Sequence, residues 1–174
     1  QNIDMIAVGG GFLGGIAKDA LKTADEFNNL QARIKLVTGE GALLTSSFQG
    51  VSDVALRTNS NLEQTGTLFA RIAEAGKSAG LGAKEAAAQS LSLTETINQA
   101  AQLSGGSAES SKAAIAQLIQ ALQSGVLRGE EFNSIMEQSP RLAKALADGL
   151  GVTTGELRKM SEAGALSTET VIRA

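Results

Sequence analysis

The chain has 174 residues, 43% of them apolar, which suits one domain with a moderate core or a string of small helical units and argues against disorder. Cysteine and histidine are both absent, which removes disulfides, Cys/His zinc sites, thiol nucleophiles and every Ser-His or Cys-His catalytic pair. The 15 basic and 18 acidic residues give a net charge of −3 without long runs of either sign, so no electrostatic footprint for nucleic acid is visible. Aromatic residues make up 3%, with no Trp or Tyr, and the core must therefore be built from Ala, Leu and Ile. Small side chains of this kind suit helices that lie close together.

In chain order, the uncharged stretch from Met5 to Ala17 is too short for a membrane-spanning helix of about 20 residues and lacks the basic leader of a signal peptide. From about Ile16 to Val37 the pattern turns helical, with Phe27, Leu30, Ile34 and Val37 spaced three, four and three apart, as in a coiled-coil seam. Gly39 and Gly41 break it, and a second helix is expected over Ala42 to Arg57. A third begins at Ser60-Asn61-Leu62-Glu63, where the serine can cap and the glutamate reach back. Its buried face is expected to hold Leu62, Phe69, Ile72, Ala73 and Gly76, with Gly80 and Gly82 as stop and restart.

A fourth helix, Ala83 to Leu103, carries Leu91, Thr94, Ile97 and Ala101 on one side, and Gly105-Gly106-Ser107 ends it and caps the next. The fifth, near Ala108 to Ser124, has the clearest amphipathic stripe in Ile115, Leu118, Ile119 and Leu122, with Gly125 fitting a left-handed C-terminal cap. The elements then shorten. Gly129 to Glu137 comes first, then Ser139-Pro140 as cap and first-turn proline opening Arg141 to Asp148, then a capping box at Thr153 and Glu156, and finally a helix starting at Ser167. Its pattern runs on through Val171-Ile172-Arg173-Ala174, so the sequence reads as a piece of a longer protein. No sustained period-two alternation occurs, and the expected fold is all-α, elongated or a loose helical bundle. Three segments are expected: a glycine-rich apolar stretch and first helix over 1–38, a helical hairpin or bundle region over 39–125, and a compact unit of short helices over 126–174.

Several motifs compete for a function. Gly9-Gly10-Gly11-Phe12-Leu13-Gly14 formally matches GxGxxG after the strand-like Ile3 to Val8. The acidic residue about twenty positions on would have to be Glu40, and the further βα units are missing, so dinucleotide binding is a remote alternative and no cofactor is expected. The same glycines form small-xxx-small pairs, Gly10 with Gly14 and Gly11 with Gly15, which permit close packing or, together with Phe12 and Leu13, membrane association. Gly76-Lys77-Ser78 imitates the end of a Walker A loop, but the first glycine of that motif falls at Arg71 in a helical stretch. Leu142 to Met160 has the rhythm of a helix-turn-helix, yet its second helix opens with Gly155 and Glu156 before Arg158 and Lys159, which opposes groove reading. The adjacent carboxylates Asp25-Glu26 and Glu130-Glu131 point in different directions on a helix and make no hydrolytic dyad. Phe27, Phe48 and Phe69 fall at equal spacing without any other sign of a repeat.

The stretch GVLRGEEFNSIMEQSPRLAKALADGLGVTTGELRKMSEAGAL, Gly125 to Leu166, resembles the tape measure proteins of long-tailed bacteriophages and prophages. The resemblance extends upstream through Asp25 to Glu40, Asp53 to Leu81 and Gln117 to Phe132. It implies a structural, non-enzymatic tail protein that templates tail-tube polymerisation, sets tail length and leaves the tube lumen during DNA ejection. It also implies assembly with copies of itself, the tail tube protein, a tail assembly chaperone and tail terminator or tip proteins, and contact with the host membrane as the alternative role. The expected helix-packing and oligomer contacts are Phe27, Leu30, Ile34 and Val37 together with Ile115, Leu118 and Leu122. No metal and no specific nucleic-acid site is expected.

Overall fold

The computed structural model describes residues 24–103 and 108–174, and the apolar segment Gly10 to Gly15 and the predicted cap Gly105-Gly106-Ser107 lie outside them. Helix α1 occupies residues 24–38, followed by α2 (Ala42–Arg57), α3 (Leu62–Ser78), α4 (Ala83–Leu103) and α5 (Ala108–Ser124). The shorter helices are α6 (Gly129–Gln138), α7 (Pro140–Leu150), α8 (Thr154–Glu162) and α9 (Thr168–Ile172). The fold is all-α. Among the described residues the one β-type pairing is an isolated antiparallel bridge between Val126 and Ser167.

Local chemistry explains the ends. Ser139 accepts from the Leu142 amide with Pro140 in the first turn of α7, Thr153 accepts from the Glu156 amide at the start of α8, and Ser167 accepts from the Thr170 amide at α9. Each satisfies a backbone donor that has no partner inside its helix. The third helix differs from its expected start: Asn61, not Ser60, is the cap, and its side chain accepts from the Gln64 amide. The Ser60 hydroxyl instead meets the Thr58 hydroxyl at 2.8 Å. Asn is at least as good a cap as Ser, and the one-residue shift leaves Ser60 to close the preceding turn. Helix α7 also runs two residues past its expected end at Asp148.

The helices close around two cores that share α3. One face of α3 gives Leu68, Ile72 and Ala75 to a larger core that also holds Leu93, Ile97, Leu118, Leu122, Phe132, Ile135, Leu142, Leu146 and Ile172. The neighbouring face gives Phe69, Ala70 and Ala73 to a smaller core with Leu30, Ile34, Val37 and Val51. The larger core draws on residues from both sides of Gly125, and α9 packs back against α3, α4 and α5.

A short latch makes that return possible. Gly125 takes a positive φ of 97° and turns the chain out of α5, so that Leu127 donates to the Leu166 carbonyl at 2.8 Å and Thr168 donates to the Gly125 carbonyl at 3.0 Å. The buried Thr168 hydroxyl then donates to the Leu122 carbonyl at 2.6 Å, satisfying one of the last acceptors of α5.

At the α1–α3 crossing, Gly66 has no room for a side chain, because a Cβ there would overlap the buried end of Leu30. We expect Gly66→Val to lower stability by about 1–3 kcal/mol through overpacking. Leu30→Ala alone is expected to cost about 2–5 kcal/mol as a cavity. Combined, the two should cost less than their sum, because each relieves the fault of the other. Urea denaturation of the four proteins checks this, and strict additivity would contradict the crossing.

Candidate functional site

The residues expected to mediate helix packing divide by exposure. Leu30, Ile34 and Val37 are buried against Phe69, Ala70 and Ala73, and Leu118 and Leu122 are buried in the larger core. These five are spent inside the chain. Ile115 sits half-buried at the rim of the larger core, and Phe27 remains 45% exposed. The Phe27 ring meets Phe48 edge to face, with centroids 4.7 Å apart, and Phe48 in turn packs against the core that contains Phe69. The evenly spaced phenylalanines therefore sit one on each of the first three helices and converge on one side of the bundle.

The outward stripe of α3 separates two open grooves that share Thr67 and Arg71. The first, about 670 Å³, lies against α1 and is lined by Arg33, Leu36, Val37, Ala70, Glu74 and Lys77 among others. The second, about 900 Å³, lies between α3, α4 and α5 and includes Glu63, Gln64, Thr65, Asn98, Lys112 and Ile115. Its floor is polar. Asn98, on α4, donates to the Thr65 hydroxyl at 3.1 Å, and Thr65 donates to the Asn61 carbonyl at 2.7 Å. This buried amide ties α3 to α4 and fixes their register.

Charges bind the helices at their edges. Arg57 grips Glu95 through two hydrogen bonds of 3.0 Å, joining α2 to α4. That contact holds the Glu95 carboxyl below its ordinary range and raises the Arg57 guanidinium above its own. Glu40 is lowered by its hydrogen bond with Lys35. Lys77, the residue of the apparent Walker sequence, donates its Nζ to the Val37 carbonyl at 3.0 Å and thereby serves the C-terminal end of α1. Arg173 bridges Glu85 on α4 and Glu169 on α9. Among the described residues no group of acidic side chains is arranged to hold a metal ion. No helix among them is long and apolar enough to cross a membrane.

A family model described as tape measure protein matches residues 18–174. The chain belongs to the tape measure protein family. No curated protein and no solved structure matches it. Membership makes this tape measure segment part of a structural phage protein and locates it in the phage tail. The helical fold agrees with the resemblance carried by Gly125 to Leu166, whose short helices are α6, α7 and α8, the last two with side-chain caps.

Sequence reasoning identified the apolar stripes but not the grooves or their polar floor. Asn98 was legible only as a polar residue in an amphipathic helix, since its partner Thr65 lies 33 residues away. The Arg57–Glu95 pair was likewise silent, with 38 residues between its members.

Because the Glu95 carboxyl titrates lower in the folded than in the unfolded chain, its contribution is present above the ordinary carboxylate range and is lost as pH falls through the lowered value. We expect Glu95→Gln to be less stable than the parent at about pH 7, with the difference shrinking by about pH 3. Urea melts at the two pH values measure this; a difference that stays constant would contradict the assignment.

Proposed function

We propose that the protein sets tail length by templating tail-tube polymerisation in the tube lumen and leaves during DNA ejection, and that the described residues, 24–103 and 108–174, serve it as a folded body rather than as a span of the ruler. The observation that carries this reading is the return of α9 onto α3 and α4, which closes one continuous core over helices α3 to α9. Drawn out as one helix, 151 residues would reach about 225 Å at about 1.5 Å each. The longest helix here, α4 with 21 residues, reaches only about 31 Å. A body folded in this way contributes little length per residue, and its role lies in starting or ending tube assembly or in ejection.

The work is mechanical and involves no catalytic step. Its partners in this reading are copies of itself, the tail tube protein, a tail assembly chaperone and the terminator or tip proteins. Contact with the host membrane would fall to the apolar segment around Gly10 to Gly15, outside the described residues.

The loop between α1 and α2 is exposed and offers a place to test length without disturbing either core. We expect a 42-residue helical insert after Glu40 of the full-length protein to leave tails at normal length in electron micrographs. The same insert placed outside this segment should lengthen them by about 63 Å. Lengthening by that amount from the Glu40 site would contradict the folded body, and no lengthening from either site would contradict length-setting itself.

A further inference from the structure

We propose that the groove between α1 and α3 docks an acidic amphipathic helix of a protein partner. The groove has an apolar rim and floor and cationic walls. Val37 and Ala70 line its base, and Leu36 stands at its edge 84% exposed. Arg33 reaches it from α1 and Arg71 from α3. Arg33 touches only the Thr67 hydroxyl, at 3.4 Å, and Arg71 forms no ion pair among the described residues. Lys77 adds a third positive charge, and Glu74 is the single acid among the described lining residues.

A protein with net charge −3 places three cations and one carboxylate among the described residues around one cleft, and neither arginine has an acidic partner among those residues. Arginine presents a planar fork suited to carboxylates, and its weak hydration makes it well suited to interfaces. Cations rooted on both helices beside an apolar strip call for a ligand with an apolar stripe flanked by carboxylates. Along α3 the groove runs from Thr67 to Ser78, about 17 Å or three helical turns. A helix of that length would place apolar anchors against Leu36 and the floor, and carboxylates against Arg33 and Arg71.

Two other occupants fit less well. The exposed large apolar residues of the described chain are Phe27, Leu36, Leu56 and Leu103, scattered over three helices, so the described part of a second copy offers no apolar stripe flanked by acids. Nucleic acid would place phosphates against Glu74 and nothing apolar against Leu36.

The test uses the 174-residue chain and fluorescence anisotropy. Its probes are an 18-residue helical peptide with leucines at i, i+3, i+4 and i+7 and glutamates on both flanks, a twin with lysines in place of the glutamates, and a 20-base-pair duplex. The acidic peptide should bind, and bind more weakly as salt rises. Reversing both arginines, Arg33→Glu with Arg71→Glu, should weaken it by about tenfold or more and turn the preference toward the lysine twin. Leu36→Asp, at a site too exposed to matter for folding, should weaken the acidic peptide as well, and it provides the readout if the double variant loses its thermal transition. The proposal is overturned if no peptide binds, if the two peptides bind alike, if the duplex binds in preference, or if folded variants retain the parent affinity for the acidic peptide.

Discussion

Helix α3 is buried on two neighbouring faces, and the rest of the chain is arranged around that constraint. Leu68, Ile72 and Ala75 look into the larger core, while Phe69, Ala70 and Ala73 look into the smaller one. Fully burying a residue the size of Phe69 or Ile72 is worth about 1.5–3 kcal/mol. A helix that does this on two sides must have neighbours on both, and small residues let them approach. Gly66 admits Leu30 from α1, and the alanines between the large residues keep the second layer close. Only a narrow outward stripe through Thr67 and Arg71 is left to solvent, which is why the two grooves lie on either side of it.

The coupling has a mechanical meaning. The short helices α6 to α9 have too little apolar surface to stand alone, and they are held by docking on a core that α3, α4 and α5 supply. The bridge at Val126 and Ser167 and the Thr168 hydrogen bond to the Leu122 carbonyl bring the chain back to α3. Pulling the segment straight would break both cores at once. A ruler needs a fixed length per residue, whereas this segment stores its residues in depth.

Much of this was legible in the sequence where the signal is local. The boundaries of α2, the start of α4 and the end of α5 followed from glycine breaks and apolar stripes, and the caps at Ser139, Thr153 and Ser167 followed from side chains that can accept a first-turn amide. Asn61 was within reach of the same reasoning, but the more familiar serine beside it took its place. Periodicity identifies a buried face without naming what covers it. Phe27, Leu30, Ile34 and Val37 therefore read as a seam for another chain, although three of the four are covered by this chain's own α3. Asn98 with Thr65 and Thr168 with Leu122 join residues 33 and 46 positions apart, and no local pattern reports such pairs.

The proposed function requires that the described residues stay folded around α3 in the assembled tail. The measurement that addresses it most directly is the distance between spin labels attached to cysteines at Ser78 and Arg173, exposed positions on α3 and just beyond α9. Labels on neighbouring packed helices, whose axes lie about 8–10 Å apart, should report a distance below about 30 Å in intact tails. A distance above about 100 Å, approaching the roughly 140 Å of 95 residues in one continuous helix, would show that the segment is drawn out as ruler and would contradict the account.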